Sequence, residues 1–398
     1  MLSAFLAATP LFGWRFVSFG DSRGSSISNY APPSPFTSIV NHITALNPAP
    51  DFVVFVGDAF YGYVDDITQM RAEWTDWKTR VQPITSLGIP LYLCVGNHEG
   101  NCGGTLDGSA VFAAEWPSLP DNGPSDLVRQ VYTFRHNNAQ FFCLNTDVCA
   151  DQSRIGSNQR SWLNSILDTC TAQLNFAYGH EPGYPDSPTS TSSLQRYPSD
   201  RNAFWQILTT HHFIAYICGH LHEWNRDFFA HANMPADTTV HQVIDGTCGA
   251  PIYHGEGGEF YHYLVWDIDG TRCMGRLYDN SSALRDSFVY NGRSGIEIEG
   301  PVPPPWDARL RAQPAVFSDQ VHISYIQQHP AHISISIYGP DGEELVRNLY
   351  SGMVSRGRLE FTWDGRDLAG QEVPSGNYFI VLESAQGEFV ARKLVRVK

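Results

Sequence analysis

Phe52-Val53-Val54-Phe55-Val56-Gly57-Asp58-Ala59-Phe60-Tyr61 sets the pattern for the first three quarters of this chain. A short unbroken apolar run rich in valine and phenylalanine fits a strand covered on both faces. The glycine after it lets the backbone turn sharply and bring the next side chain to the rim of a sheet. What reaches the rim here is a carboxylate, followed three residues later by a phenol. The arrangement recurs four times. Phe16 to Phe19 leads to Gly20-Asp21, Leu91 to Val95 to Gly96-Asn97-His98-Glu99, Asn175 to Tyr178 to Gly179-His180, and Phe213 to Cys218 to Gly219-His220-Leu221-His222. Open α/β sheets place their sites at the carboxyl ends of strands. Leaving His98 and Glu99 aside, the five segments supply two carboxylates, a phenol, an amide oxygen and three imidazoles. That is enough hard and borderline ligand to hold two metal ions side by side. His220 and His222 stand two apart, so in an extended segment they point the same way, each toward one of two ions ~3.5–4 Å apart.

Amphipathic stretches fall between the strands, as an alternating α/β fold requires. Ser34-Pro35 caps and opens a helix with Phe36, Ile39, Val40, Ile43 and Leu46 on its apolar face, ending at Asn47-Pro48. Ile67, Met70, Trp74, Trp77 and Val81 form a second stripe of helical period, whose tryptophans read as core. A third helix starts at Ser157, and a fourth runs from about Ala203 to Thr210. Tyr132 to Phe134 and Gln140 to Leu144, joined through Asn137-Asn138, read as a hairpin.

A lone Gly-Asp or Gly-His is an ordinary polar turn, but five in this order are a stronger signal. Asp21, Gly57-Asp58-x-x-Tyr61, Gly96-Asn97-His98-Glu99, Gly179-His180 and Gly219-His220-x-His222 together resemble the calcineurin-like metallophosphoesterase superfamily, and most of all its purple acid phosphatases. The resemblance covers roughly residues 14 to 290. It implies two sheets packed as a sandwich flanked by helices, and a pair of ions bridged by Asp58. Asp21, Tyr61 and His222 would complete the first metal, and Asn97, His180 and His220 the second. His98 would sit beside the ions, hydrogen-bonding the phosphoryl oxygen or protonating the leaving alkoxide, with Glu99 as its orienting partner. The reaction implied is phosphomonoester hydrolysis of acid-phosphatase type, in which a hydroxide shared by two cations attacks phosphorus. Mixed nitrogen and oxygen ligands accept most first-row ions, so iron with zinc or manganese, or two manganese ions, all fit; the tyrosine leans toward ferric iron.

One position departs from the wider superfamily, where a histidine often stands two residues after the first aspartate. Here that residue is Arg23, which has no lone pair to offer a metal. Tyr61 takes up the vacancy in the purple acid phosphatase pattern. Arg23 is left to pair with substrate phosphate or with a nearby carboxylate. Two loops rich in turn residues, Gly100 to Asp126 and Tyr184 to Asp200, are expected to border the metals, with Trp116, Tyr184, Trp224 and Tyr253 as candidates to stack on a leaving group.

The formal charge of −15 argues against broad electrostatic binding to nucleic acid or anionic membranes, while a small phosphorylated substrate drawn to local metal charge stays compatible. No apolar run approaches the ~20 residues of a spanning helix. Leu2 to Phe12 is apolar without a basic start, and reads as the remnant of a leader or the entry to the first strand. Among the eight cysteines, Cys94/Cys102 and Cys143/Cys149 are the local pairs available for bridges. Cys94 and Cys218 lie in apolar runs that equally suit buried thiols.

Near residue 297 the chain changes character. Residues 14–296 form the expected catalytic domain, 297–312 a linker stiffened by Gly300-Pro301-Val302-Pro303-Pro304-Pro305, and 313–398 a small β-sandwich. Its period-2 run His332 to Tyr338 is followed by a Gly339-Pro340-Asp341-Gly342 turn. Phe361-Thr362-Trp363-Asp364-Gly365-Arg366-Asp367 through Gly376-Asn377-Tyr378 resembles the Ig-like domain of flagellar hook-capping proteins. Related modules end many secreted bacterial enzymes, which implies a secreted, periplasmic or cell-surface location and a surface or secretion partner for this domain. Two other functions compete with the phosphomonoesterase: a phosphodiesterase or nucleotide pyrophosphatase on the same site, and a noncatalytic surface-binding protein whose metal site has lapsed.

Overall fold

The computed structural model describes residues 13–102, 104–185, 192–229, 240–252, 260–291, 310–314, 316–327, 331–339, 345–354, 357–384 and 389–397. The stretch Leu2 to Phe12, Tyr253, most of the 297–312 segment, the Pro340-Asp341-Gly342 turn and part of the Tyr184–Asp200 loop lie outside those residues. The chain divides into two compact units between residues 300 and 301.

The first unit opens with strand β1 (Trp14–Phe19), helix α1 (Ser34–Thr44), β2 (Phe52–Phe55), α2 (Ile67–Thr85) and β3 (Leu91–Leu93). The short helix α3 (Asn97–Gly100) and α4 (Gly108–Glu115) follow, then the hairpin β4 (Tyr132–His136) and β5 (Ala139–Cys143). Next come α5 (Ser157–Leu167), β6 (Leu174–Tyr178), α6 (Pro198–Thr210) and β7 (Phe213–Cys218). Strands β8 (Trp224–Phe229), β9 (Val240–Asp245), β10 (His262–Asp269), β11 (Arg272–Asp279) and β12 (Leu284–Asn291) complete the unit. They form two mixed sheets, ordered β12-β11-β10-β1-β2-β3 and β4-β5-β6-β7-β9-β8. β1, β2 and β3 run parallel, as do β5, β6, β7 and β9, so their carboxyl ends share one edge in each sheet.

Alternation along the strands decides what each face meets. Phe16 and Phe52 point to the second sheet, with rings 5.2 and 5.1 Å from Phe141, and Phe16 also lies 5.5 Å from Phe176. Phe19 and Phe55 point the other way, to Phe36 of α1 and Trp77 of α2. Both faces are therefore buried, as the unbroken apolar runs require. On the far side of the second sheet, Leu163, Leu167, Phe204, Trp205 and Leu208 of α5 and α6 cover Phe142, Tyr216 and Phe213. The layers are thus helix, sheet, sheet, helix. Three details differ from expectation. Ser34 lies inside α1, whose N-cap is Pro33 and makes no side-chain cap. Helix α6 begins at Pro198, because proline is at ease in a first turn whose N–H needs no partner. Ile67 stays exposed, since it opens α2 before the buried stripe begins.

Strands β13 (Leu310–Gln313), β14 (Val316–Phe317), β15 (Val321–Gln327), β16 (Ala331–Tyr338), β17 (Leu345–Val354), β18 (Gly357–Trp363), β19 (Gly376–Ser384) and β20 (Phe389–Arg396) make the second unit all-β. They form sheets β13-β15-β18 and β14-β20-β19-β16-β17, closed on one core that includes Ile323, Ile335, Trp363, Ile380 and Leu394. Strand β13 starts inside the segment 297–312 read as linker: Leu310 is buried and pairs with Tyr325, three residues before the expected start of the sandwich at 313. No helix among the described residues is long and apolar enough to cross a membrane.

Candidate metal centre

Each of the five strand-end segments delivers its side chain to one place at the rim of the two sheets. Asp21, Asp58 and His222 are buried, and one potential ligand atom from each lies within 4.8 Å of the others. Next to them, Asn97 Oδ1 stands 2.9 Å from His180 Nε2 and 2.9 Å from His220 Nδ1, and those two nitrogens are 3.1 Å apart. Asp58 belongs to both groups, because its Oδ1 is 3.3 Å from His180 Nε2. The two donor sets are therefore Asp21/Asp58/His222 and Asp58/Asn97/His180/His220, with the Asp58 carboxylate between them.

Backbone conformation, rather than strand extension, produces the convergence. Asp21 (φ 55°), Asp58 (φ 59°), His220 (φ 70°) and His222 (φ 35°) all sit in the left-handed region, where a non-glycine residue costs ~1–2 kcal/mol. His220 and His222 are thus not two positions of an extended segment: each is turned individually toward the centre. The strain is held by hydrogen bonds. Both oxygens of Asp21 accept from the His220 N–H at 3.1 and 3.0 Å, and Asp58 Oδ1 accepts from the His98 N–H at 3.2 Å. Gly96 has to be glycine, since a Cβ there would come within 2.5 Å of the Asp58 backbone nitrogen.

The imidazoles are aimed by their second nitrogens. His180 Nδ1 donates to Val56 O at 2.8 Å and His222 Nδ1 to Pro251 O at 2.7 Å, which leaves each Nε2 facing the acids. His98 Nδ1 donates to Tyr61 O, and its Nε2 lies 3.6 Å from Asp58 Oδ2. That geometry corrects the expected role of Glu99. Its carboxylate accepts the Gly96 N–H at 3.0 Å, the Asp58 N–H at 3.1 Å and the Ala59 N–H, so it holds the Asp58 turn, and the carbonyl of Tyr61 orients His98. Arg23 lies within reach of one of its two expected partners: Nε is 3.7 Å from Asp58 Oδ2, and the guanidinium lies over the Tyr61 ring at 5.6 Å. The Tyr61 ring itself packs against His98 at 5.1 Å.

Electrostatics follow from burying this many charges together. Burial pushes Asp21 up. For Asp58 burial acts the same way, but His180, His98 and Arg23 overcome it and hold the carboxylate below its usual range. Burial disfavours the His180 imidazolium, yet Asp58, Asp21 and Asp147 raise it to about 10. Burial and the neighbouring His180 lower His220 to about 3, and burial lowers His98 to about 4. The acids at the centre thus demand positive charge close by, which the His180 imidazolium supplies here and a bound cation would supply in its place. A buried set of carboxylate, amide and imidazole donors fits first-row divalent or trivalent ions.

Other readings from sequence need revision. Trp116 packs on Trp74 and Trp77, Trp224 on Phe288, and Tyr184 on Trp205, so these aromatics stabilise helices and loops. The disulfide joins Cys102 to Cys149, while Cys94 and Cys143 are buried thiols on adjacent strand ends and Cys218 is a buried thiol as well. Two features had no expected role. Tyr63 accepts a hydrogen bond from Asn97 Nδ2 at 2.6 Å. Asp147, buried beside the centre and bonded by the Thr146 hydroxyl at 2.6 Å, is raised by burial to about 6.

Residues 29–224 match the family model described as Calcineurin-like phosphoesterase, and residues 317–388 that of the FlgD Ig-like domain. The first unit therefore carries a calcineurin-like phosphoesterase domain with the metallophosphoesterase fold, and the second an Ig-like domain of the FlgD type. Among solved structures the chain is similar to the purple acid phosphatase PPD1 of yellow lupin (Lupinus luteus) seeds, at 18% identity and a TM-score of 0.55. That match covers 70% of this chain and 53% of the lupin chain, so this chain spans about half the length of that relative. PhoD is similar at 13% identity and a TM-score of 0.55, over 73% of this chain and 72% of PhoD. At these identities the likeness is one of fold. No curated protein matches the sequence.

Proposed function

We propose that the first unit is a dinuclear metal-dependent phosphoester hydrolase, acting as an acid-phosphatase-like phosphomonoesterase on a small phosphorylated substrate. One observation carries this reading: two donor sets meet at the shared carboxylate of Asp58, one with Asp21 and His222, the other with Asn97, His180 and His220. Folding alone asks for no such convergence. Tyr61 is proposed as the remaining ligand of the Asp21 set.

Bound there, two ions supply Lewis acidity toward phosphoryl oxygens and a water acidified toward neutrality. This chain's residues do the rest. Glu99 fixes the turn that presents Asp58, and Arg23 keeps that carboxylate charged. His98, anchored through Nδ1, presents Nε2 toward the centre; because the neutral ring keeps its proton on Nδ1, Nε2 meets a phosphoryl oxygen or gives a proton to the leaving oxygen as the imidazolium. The cystine Cys102–Cys149 and the FlgD-type module support a secreted, periplasmic or cell-surface location, with the second unit docking to a surface or secretion partner.

The test combines metal analysis and a visible absorption spectrum with hydrolysis of p-nitrophenyl phosphate and bis(p-nitrophenyl) phosphate. Two metals per chain with monoester turnover are expected, and a tyrosinate-to-iron charge-transfer band marks Tyr61 as a ligand. Turnover of the diester alone would replace the phosphomonoesterase by a phosphodiesterase. Two metals without turnover would favour a binding protein, and protein without metal affinity would overturn the reading.

A further inference from the structure

We propose that Tyr63 is a positioning residue that sets the orientation of the Asn97 amide, so that Oδ1 rather than the amide nitrogen faces His180 and His220. The inference rests on the two-ion reading and extends it to a residue with no place in the ligand set.

An asparagine amide offers an acceptor and a donor of nearly equal shape, and only the oxygen can serve a cation. Something must therefore distinguish its two ends. Here Asn97 Nδ2 donates to the Tyr63 hydroxyl at 2.6 Å, while Oδ1 stands 2.9 Å from both His180 Nε2 and His220 Nδ1. Tyr63 is 41% exposed, and in this pair its hydroxyl oxygen takes the acceptor role toward the amide.

The backbone is shaped for this contact. Tyr63 has φ 55°, an uncommon conformation for a residue with a bulky side chain, and Gly62 before it has φ 60°. At Gly62 a Cβ would collide with the carbonyl of His98, so glycine lets this loop lie directly against α3. Glu73 Oε2 secures the turn by accepting the Gly62 N–H at 3.2 Å. The Tyr63 ring rests 4.6 Å from the His98 ring. An aromatic residue held in left-handed backbone, left partly in water and hydrogen-bonded to a ligand's amide is poorly explained by packing alone.

The experiment titrates metal-free full-length protein with zinc ion by calorimetry, comparing wild type, Tyr63→Phe, Asn97→Ala and the double variant, with thermal unfolding of each. The phenylalanine keeps the ring and removes one hydrogen bond, so the equivalent held by the Asn97 set should weaken by about tenfold or less, and measurably. The equivalent held by Asp21 and His222 should be unchanged, as should the unfolding midpoint of the metal-free protein. In the Asn97→Ala background, Tyr63→Phe should add nothing. Wild-type affinity for both equivalents in Tyr63→Phe would overturn the proposal, and so would equal weakening of both, or additive losses in the double variant. A wild type that takes fewer than two equivalents would instead overturn the two-ion reading, and the role of Tyr63 with it.

Discussion

The loops at the rim of the first unit and the turns of the second are built under different rules. At the rim, Asp21, Asp58, Tyr63, His220 and His222 occupy left-handed backbone although none is glycine. Among the described residues of the second unit, positive φ falls only on Gly365 and Gly370, where it costs little. The rim also buries Asp21, Asp58, His98, Glu99, His180 and His222 together, whereas the second unit encloses Leu310, Ile323, Ile335, Ile380 and Leu394 around Trp363. A fold optimised only for stability resembles the second case. The first unit accepts conformational strain and buried charge at one edge because side chains from five separate strand ends have to meet there. Left-handed backbone also falls on Asn101, Arg129, Asn137, Ser153, His212 and Ser282, so what sets this rim apart, independently of any motif, is the coincidence of that strain with buried acids and imidazoles.

The comparison is broken or sharpened by variants on each side of it. Asp58→Asn should have the largest effect, taking turnover to background and metal content from two per chain to at most one, as read by metal analysis and p-nitrophenyl phosphate hydrolysis. Retention of both metals would show that the shared carboxylate is not what joins the two donor sets. His98→Ala should keep both metals and lose ~10²–10⁴ in kcat. If its metal content falls as in Asp58→Asn, His98 belongs to the ligand set. Glu99→Ala leaves three N–H groups of the Asp58 and Gly96 turns without their acceptor. It should lower the unfolding free energy by about 3 kcal/mol or more in urea and loosen metal binding, since the strained turn loses its brace. On the other side of the comparison, Trp363→Ala should destabilise the second unit by ~3–5 kcal/mol while metal content and turnover stay as in wild type. A matching loss of activity would show that the rim depends on the second core.

Much of this arrangement was legible in the chain because it is local. An apolar run, a glycine and a ligand are consecutive, so each strand end could be read alone, and their order suggested the family. What stayed hidden depends on partners far away in sequence. Glu99 follows His98 directly, yet its carboxylate turns back to Gly96, Asp58 and Ala59. That Arg23 lies beside Asp58, 35 positions on, is likewise a product of the fold. Cys102 had Cys94 eight residues away, but Cys94 faces the core, and the bridge runs instead to Cys149 across 47 residues. Trp116, Tyr184 and Trp224 sat near loops and were absorbed by helices and strands that packed over them.

By itself, the sequence determined which atoms are available for chemistry and that they stand at strand ends, because strand period, glycine turns and ligand type are properties of neighbouring residues. It likewise determined that a second, all-β module follows, since alternation at period 2 is again local. The tertiary structure alone decided that Asp58 lies between two donor sets, which nitrogen of each histidine faces them, and that Tyr63 holds the amide of Asn97. Those outcomes depend on β1, β2 and β3 lying parallel in one sheet and β6 and β7 in the other, with carboxyl ends meeting across the sandwich. Backbone carbonyls such as Val56 O and Pro251 O then fix the imidazoles. A hydrogen bond between residues a hundred positions apart has no local signature, so only the folded chain can specify it.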